Sequence, residues 1–243
     1  MRVDQDLLAI SKRAGKAIGD YAMLQDGDRV LVAVSGGKDS LTLLHVLLYR
    51  QTFIPIKIKL TAVHIDAGIP GFPLVKLEKH FQKLGVDYRI EQINFLKGKD
   101  LSDIDCFWCS WNRRKALFEL ARKMGYNKIA FGHHLDDIAE TILLNLFFRG
   151  EIGAMRPHQP LFNGKVTVIR PLAYEKEAVI AKFATAHKLK NLCRCLCPHS
   201  ANSKRATMKR LLTKLEKENP AVKMNILKSL QNIKENYLLD YLG

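Results

Sequence analysis

The sequence of 243 residues has no stretch that approaches the roughly 20 consecutive apolar residues of a membrane-spanning helix. Its start, residues 1–10, contains two aspartates and lacks the apolar block of a secretory signal peptide. Internal repeats and low-complexity segments are also absent, and apolar residues make up 47% of the chain, enough for a hydrophobic core. We therefore expect a globular cytoplasmic protein that does not act at a membrane.

Acidic side chains are scarce, since 24 Asp and Glu stand against 39 Lys and Arg and the formal net charge is +15. The excess is concentrated near the C-terminus, where residues 198–243 hold nine Lys or Arg and four Asp or Glu. A charge of this size attracts polyanions and therefore favours nucleic acid as a partner. A charged surface that serves only solubility is the alternative.

Both common nucleotide-binding signatures are missing, because no Gly-Lys pair is followed by Ser or Thr and Gly-x-Gly-x-x-Gly does not occur. Instead, the apolar run Val30–Val34 leads into Ser35-Gly36-Gly37-Lys38-Asp39-Ser40 and then into an apolar helical stretch. Glycines let the backbone approach a ligand, and amides at a helix N-terminus bind phosphate oxygens. The segment therefore predicts a phosphate-binding loop, with Ala33 and Val34 at its strand end.

Short β-branched runs alternate with amphipathic helical stretches along most of the chain. Strands are predicted at 30–34, 57–65, 87–93, 128–131 and 166–169, and residues 201–242 are predicted to be all-helical. This alternation is typical of an α/β fold with a doubly wound, mostly parallel sheet. We expect an N-terminal helical segment (1–25), a central α/β domain (26–192) and a C-terminal segment with late cysteines and a basic helical tail (193–243).

Two further polar segments follow predicted strands, where ligands bind in such sheets. His64 and Asp66 end the second strand, and Gly132-His133-His134-Leu135-Asp136-Asp137 follows the fourth. Gly132 permits close contact with a nucleotide, and Asp136 or Asp137 can bind a metal ion. Capping of strand and helix ends is the alternative for these residues.

All five cysteines lie in two tight clusters, Cys106-Phe107-Trp108-Cys109 at the predicted start of a helix and Cys193-Arg194-Cys195-Leu196-Cys197 further along. Disulfide frameworks are rare in the cytosol, so metal binding or redox chemistry is expected. From these residues alone, an iron–sulfur cluster, a structural zinc ion and a catalytic disulfide all remain open.

The loop from Ser35 to Ser40 resembles that of the PP-loop, or N-type, ATP pyrophosphatases. In that family the loop holds the β- and γ-phosphates of ATP while the substrate attacks the α-phosphate, which produces an adenylated substrate and pyrophosphate. The resemblance implies that Asp39 helps to place Mg²⁺, which offsets charge on the leaving group. It also implies an ATP site formed by Ala33, Val34, Ser35, Gly36, Gly37, Lys38, Asp39, Ser40, His64, Asp66, Gly132 and His133.

A larger set of motifs, spread from about Asp26 to Asn232, resembles the tRNA 2-thiocytidine synthetase family within that superfamily. The set comprises Pro70-Gly71-Phe72-Pro73, Cys106-x-x-Cys109 followed by Arg113-Arg114, Gly132-His-His-x-Asp-Asp137, Ile169-Arg170-Pro171-Leu172 and the late cysteines. The resemblance implies ATP-dependent thiolation of a tRNA pyrimidine, with cytidine 32 as the family's target, and a homodimer. It implies catalytic roles for Asp39, Arg113 and Asp137.

The same resemblance implies that Cys106, Cys109 and Cys197 bind a 4Fe–4S cluster, with sulfur supplied by a cysteine desulfurase or by sulfide. The second cluster departs from the family pattern Cys-x-x-Cys-Gly, because Cys197-Pro198 takes the last place and Cys193 and Cys195 are additional. Cys195 could therefore replace Cys197 or carry sulfur. The alternatives are tRNA-Ile lysidine synthesis, which needs no cysteines, and a non-catalytic nucleotide- or RNA-binding module with a structural zinc.

The tRNA is expected to bind the basic C-terminal region, because no separate RNA-binding domain is recognisable. Ser203–Glu218 is predicted to be a helix on which several cations are four residues apart. The predicted RNA-binding residues are Arg114, Lys204, Arg205, Lys209 and Arg210. A solubilising face whose cations pair with neighbouring glutamates is the alternative.

Overall fold

The computed structural model describes residues 4–69, 71–93, 106–189 and 203–237, with the backbone alone for 106 and 107. The elements, in chain order, are α1 (Gln5–Asp20), β1 (Arg29–Ala33), α2 (Lys38–Gln51), β2 (Lys59–Asp66), α3 (Leu74–Leu84), β3 (Asp87–Gln92), α4 (Cys106–Met124), β4 (Lys128–Ala130), α5 (Leu135–Arg149), β5 (His158–Leu161), β6 (Val166–Ile169), α6 (Glu177–Ala186), α7 (Lys204–Glu218) and α8 (Val222–Ser229). Within these ranges, no helix is long and apolar enough to cross a membrane.

The six strands form one sheet in the order β3-β2-β1-β4-β6-β5. All neighbouring pairs are parallel except β5 and β6, which are antiparallel. The predicted α/β class and mostly parallel sheet are therefore confirmed, and the five predicted strands correspond to β1, β2, β3, β4 and β6. β5 was not predicted, since it has no β-branched residue and contains Pro160, which an edge strand tolerates.

The sheet is covered by helices on both faces. Val30, Val32 and Val34 pack in a core with α1, α2, α3 and α6. Leu31 and Ala33 point to the opposite face and pack in a second core with α4. Because successive side chains of a strand alternate between faces, the continuous apolar run of β1 is buried on both sides, as a central parallel strand requires.

The chain divides into two compact units that differ from the segments expected from the sequence. The first unit, residues 1–134 and 156–201, contains the sheet, α1 to α4 and α6. The second, residues 135–155 and 202–243, contains α5, α7 and α8. The boundaries differ from those expected because α1 packs on α2 and α6, whereas α5 shares an apolar core with α7.

Candidate active site

The predicted phosphate loop connects β1 to α2 in a closed turn. Gly36 has a φ of +87°, which side chains rarely adopt, so a glycine is required at this position. The Ser40 hydroxyl closes the turn, since its Oγ accepts from the Ser35 backbone N at 3.2 Å and donates to the Gly37 carbonyl at 2.9 Å. Gly37, the N-cap residue of α2, has no side chain that could cap the helix. The backbone is therefore arranged as anion binding at a helix N-terminus requires.

Two charged residues in the first turn of α2 pair with each other. Lys38 Nζ donates to Asp39 Oδ1 at 2.7 Å and to Glu177 Oε1 of α6 at 3.1 Å. Burial opposes the charge on Lys38, but hydrogen bonds and attraction to the two carboxylates outweigh it and raise the pKa of Lys38. His134 Nε2 lies 3.7 Å from Asp39 Oδ1. Asp39 keeps about a third of its side chain exposed, at 32%, so a metal ion can reach it.

Gly132 lies against the backbone of the phosphate loop's helix. A Cβ added at Gly132 would lie 2.8 Å from the carbonyl carbon of Asp39 and 2.8 Å from the backbone N of Ser40. The structure shows that the absence of a side chain at Gly132 admits the first turn of α2, and the predicted contact of this glycine with a nucleotide stays a prediction. The end of β4 and the phosphate loop are thereby held at a fixed distance.

His64 links the end of β2 to the strand end of the phosphate loop. Its Nδ1 donates to the carbonyl oxygen of Val34 at 2.8 Å, and its ring stacks on Phe72 at a centroid distance of 4.7 Å. Burial, together with the positive charge of Arg113, lowers the pKa of His64, so the ring is neutral at pH 7. Asp66, at the end of the same strand, accepts from the backbone N of Gly68 at 3.0 Å.

Arg170, a member of the motif Ile169-Arg170-Pro171-Leu172, organises the loop that follows β4. It is buried, directly after β6, and its Nε donates to His133 Nδ1 at 3.3 Å. Nδ1 of His133 is then the acceptor, so the ring proton of the neutral histidine is on Nε2. Arg170 also donates to the carbonyl oxygen of Arg156. The sequence signal that identifies Arg170 as a candidate for this role is a cation that directly follows a buried β-branched strand.

The cysteine helix α4 begins at Cys106, as predicted. Cys109 is half-buried and forms no disulfide bond with any residue that the structure describes. Arg113 follows one turn later, and its Nε is buried without a hydrogen-bond partner among the described residues. Leu117, one turn further, is buried in the core beneath the sheet. One face of α4 therefore carries Cys109 and Arg113 toward the interior.

The two neighbouring arginines Arg113 and Arg114 lie on different sides of α4. Arg114 is exposed and donates to Ser110 Oγ at 3.2 Å, whereas Arg113 is half-buried. The reason is helical geometry, since residues four apart share a face and residues five apart do not. Arg113 therefore keeps its predicted place beside Cys109, and Arg114 belongs to the solvent side of the helix.

The described part of this helix fits an iron–sulfur cluster. Cys109 is half-buried on the inward face of the helix, and thiolates are the usual ligands of such clusters. The buried Nε of Arg113 offers a positive donor to an anionic group on that face. The predicted third ligand Cys197, with Cys193 and Cys195, lies outside the described residues.

In the second unit, the two aspartates that open α5 each contact a cation from a C-terminal helix. Arg205 bridges Asp137 Oδ1 at 3.1 Å and Glu140 Oε2 at 2.7 Å. Lys223 Nζ lies 2.5 Å from Asp136 Oδ1. Asp137, predicted to be catalytic, and Arg205, predicted to bind RNA, thus contact each other, and both roles stay predictions.

The other predicted RNA-binding residues of α7 are exposed. Lys204, Lys209 and Arg210 all lie on the solvent side of α7, which begins at Lys204, one residue after the predicted start, with Ser203 as its N-cap. Lys204 Nζ lies over the exposed ring of Phe148 at 4.7 Å from its centroid. The basic strip predicted on this helix is therefore accessible, and Arg205, whose side chain is 45% exposed, also pairs with two carboxylates of α5.

The fold and the closed Ser-Gly-Gly-Lys-Asp-Ser loop define a PP-loop protein, and a family model described as a PP-loop domain matches residues 8–193. Two relatives specify the family further. The tRNA-cytidine(32) 2-sulfurtransferase of Geobacter sulfurreducens is 44% identical over 237 residues, covering 95% of this chain and 92% of that protein. The enzyme of the same name from Geotalea uraniireducens is 43% identical over 243 residues, covering 98% and 96%. The chain belongs to the tRNA-cytidine(32) 2-sulfurtransferase family, a family of ATP-using enzymes, as its motifs indicated.

Solved structures agree with this fold. The U34-tRNA thiolase NcsA from Methanococcus maripaludis, determined with its [4Fe-4S] cluster, superposes with a TM-score of 0.75 at 24% identity, covering 93% of this chain and 78% of that chain. The NH3-dependent NAD synthetase from Campylobacter jejuni superposes with a TM-score of 0.51 at 14% identity, covering 96% and 90%. These likenesses confirm the sheet and helix arrangement of a PP-loop fold.

Proposed function

We propose that this chain uses ATP to activate the C2 oxygen of a tRNA cytidine, at position 32, and replaces that oxygen with sulfur. The names of the two relatives support the substrate and the reaction, because the similarity to each relative covers nearly the whole chain. The observation that carries the ATP step is the phosphate loop, in which Ser40 closes the turn and Gly132 abuts the first turn of α2.

In the first step, the cytidine O2 attacks the α-phosphorus of ATP and the bond to the bridging oxygen breaks, so that pyrophosphate leaves. The helix N-terminus at Gly37 and the hydroxyls of Ser35 and Ser40 bind the phosphates that become pyrophosphate. The charged Lys38 offsets the charge that develops there, and Asp39 would hold a Mg²⁺ ion, which when bound would supply further positive charge. The step converts an oxygen that leaves poorly into one that leaves as AMP.

In the second step, a sulfur nucleophile attacks C2, the C2–O bond breaks and AMP leaves with the original oxygen. Arg113 is placed to donate from its buried Nε to an anionic oxygen or sulfur on its face of α4. Thiolates from Cys106, Cys109 and Cys197 would hold a 4Fe–4S cluster, which when bound would offer an iron to bind sulfide. The sulfur would come from free sulfide, or from a cysteine desulfurase together with a thiol that reduces its persulfide sulfur to sulfide. The enzyme acts as a homodimer in this proposal.

The tRNA backbone binds exposed cations in this proposal. Lys204, Lys209 and Arg210 on α7 are accessible to phosphates, and Arg114 is exposed on α4. Phosphate contacts of this kind position the substrate and give affinity without reading its sequence. Recognition of the particular cytidine then rests on the shape of the tRNA loop and on contacts to its bases.

The test is product analysis with protein purified without oxygen. Incubation with an unmodified tRNA transcript, ATP, Mg²⁺ and sulfide, followed by mass spectrometry of the nucleosides, should show 2-thiocytidine. Asp39→Ala should abolish AMP formation, and Cys109→Ala should abolish 2-thiocytidine while ATP binding persists. Asp20→Ala is the matched control, because Asp20 is also paired with a lysine but lies on the exposed side of α1. Unchanged thiolation by Cys109→Ala would refute the cysteine-dependent mechanism.

A further inference from the structure

The chain has two tryptophans, and both lie exposed on the same helix. Trp108 is 40% exposed and Trp111 is 50% exposed, although indole side chains are usually well buried. Trp108 is the residue directly before Cys109, and Trp111 follows it by three positions. An exposed aromatic pair beside the proposed cysteine site requires an explanation other than packing.

The tryptophans form a stripe along the solvent side of α4. Trp108, Trp111 and Lys115 are spaced three and four residues apart, so their side chains lie on consecutive turns of one face. Lys115 Nζ lies 5.5 Å from the centroid of the Trp111 ring, within the range of a cation–π contact. Cys109 and Arg113 lie on the inward face of the same helix. The helix therefore carries Cys109 and Arg113 on its inward face and an aromatic, basic stripe on its solvent face.

The charge of α4 indicates which partner the stripe fits. Residues 106–124 contain five Lys or Arg and a single carboxylate, Glu119, which lies 3.9 Å from Lys115. Both members of that pair are more than half exposed, so the contact leaves Lys115 accessible and contributes little. A second copy of this positively charged helix would repel the first, whereas a polyanion with flat faces complements both the charge and the indole rings.

We propose that Trp108, Trp111 and Lys115 form a stacking surface for unstacked bases of a single-stranded RNA loop, with phosphates contacting Lys115 and Arg114. This inference rests on the proposed function, in which the cytidine must leave its base stack before its C2 becomes accessible. Aromatic side chains bind single-stranded nucleic acid by stacking on successive bases, largely without regard to sequence. The stripe lies on the opposite face of α4 from Cys109, so bases that stack on it belong to the part of the loop that stays outside the proposed site.

Tryptophan fluorescence tests this directly, because every tryptophan of the chain belongs to the stripe. Titration of the full-length protein, with its cofactors, with unmodified tRNA transcript should quench the emission. The same quenching should persist in Trp108→Phe and in Trp111→Phe, each of which retains a single reporter. Trp108→Ala and Trp111→Ala should each weaken tRNA binding by about 10-fold, and Lys115→Ala should lower the salt dependence by about one unit of slope.

The matched control is Phe53→Ala, because Phe53 is also exposed and lies 5.4 Å from the Arg50 guanidinium, in the same kind of contact. This variant should bind tRNA as the wild type does. ATP affinity and the circular dichroism spectrum should not change in any tryptophan variant, and Trp→Leu variants replace any Trp→Ala variant that folds poorly.

Three results would decide against the stripe. Wild-type tRNA affinity in the double variant Trp108→Ala, Trp111→Ala would overturn the inference while the proposed function stands. Emission that shifts with protein concentration in the absence of RNA would identify the stripe as an interface between copies and would also overturn it. If the wild-type protein neither binds tRNA nor forms 2-thiocytidine, the proposed function itself fails, which the nucleoside analysis detects independently.

Discussion

Replacement of Gly132 by alanine tests whether the contact between the end of β4 and the phosphate loop sets ATP affinity. The new Cβ would lie 2.8 Å from two backbone atoms of the first turn of α2 and 2.9 Å from the carbonyl oxygen of Asp39. Favourable contacts between carbon atoms need about 3.5–4.0 Å. Because the obstructing atoms are backbone, no change of rotamer relieves the clash, and either β4 or α2 must move.

The expected losses of stability and of ATP affinity depend on which segment moves to relieve the clash. Overpacking of a well-packed site costs about 1–3 kcal/mol, which should appear in the free energy of unfolding of the ATP-free protein. A displaced first turn also moves Ser40 away from its bonds with Ser35 and Gly37, which are 3.2 and 2.9 Å long. We therefore expect ATP affinity to fall by about 10-fold, equivalent to about 1.4 kcal/mol.

The assay pairs denaturant unfolding with calorimetric titration of a non-hydrolysable ATP analogue. Gly19→Ala is the control, because a Cβ at Gly19 has no neighbour within 4 Å and the position lies in the last turn of α1. That variant should be unchanged or slightly more stable. If Gly132→Ala lowers stability while the analogue binds as tightly as to Gly19→Ala, the contact is only structural and the reasoning about ATP is refuted.

Three further predictions concern stability in denaturant unfolding. Gly36→Ala should cost about 1–2 kcal/mol because φ is +87° there, and Gly37→Ala, at a φ of −74°, should cost less; equal losses would contradict this. Lys223→Met removes the buried cation that contacts Asp136 of α5 and should cost about 3 kcal/mol, whereas Lys16→Met in an exposed pair should cost under about 1. Burial and neighbouring cationic groups lower the pKa of His45 from 6.5 to about 4, so folding stability should fall as pH drops from 6.5 towards 4. His45→Gln should remove up to about 3 kcal/mol of that fall. An unchanged pH profile of stability in His45→Gln would refute this prediction.

The parts of the fold that the sequence predicted are those determined by local pattern. A continuous apolar run followed by Ser35-Gly36-Gly37 and a helical stretch is enough to identify a buried parallel strand, its phosphate loop and the helix α2 that follows. The start of α4 at Cys106 was predicted for the same reason, and α7 begins one residue after its predicted start at Ser203. Each depends on residues that are neighbours in the chain.

The parts that were not predicted depend on contacts between distant segments. β5 becomes a strand only because β6 lies beside it, and its own residues do not favour extended structure. The need for a glycine at position 132 comes from the backbone of Asp39 and Ser40, more than 90 residues earlier in the chain. The link from Arg170 to His133 joins residues 37 positions apart. No periodicity within one segment carries such information.

Arg205 shows how this limitation affects the interpretation of the RNA surface. Its spacing with Lys209 makes it look like one member of a basic strip, yet it pairs with Asp137 and Glu140, 68 and 65 residues earlier in the chain. Glu140 is buried and its pKa is raised by burial against the attraction of Arg205, so removal of the arginine leaves a carboxylate in an apolar environment without its cation. A loss of tRNA binding in Arg205→Ala would therefore report on the packing of α7 against α5 as much as on a phosphate contact. Replacement of the exposed Arg210 on the same helix tests the electrostatic surface more cleanly than replacement of Lys209, whose charge also acts on Glu140.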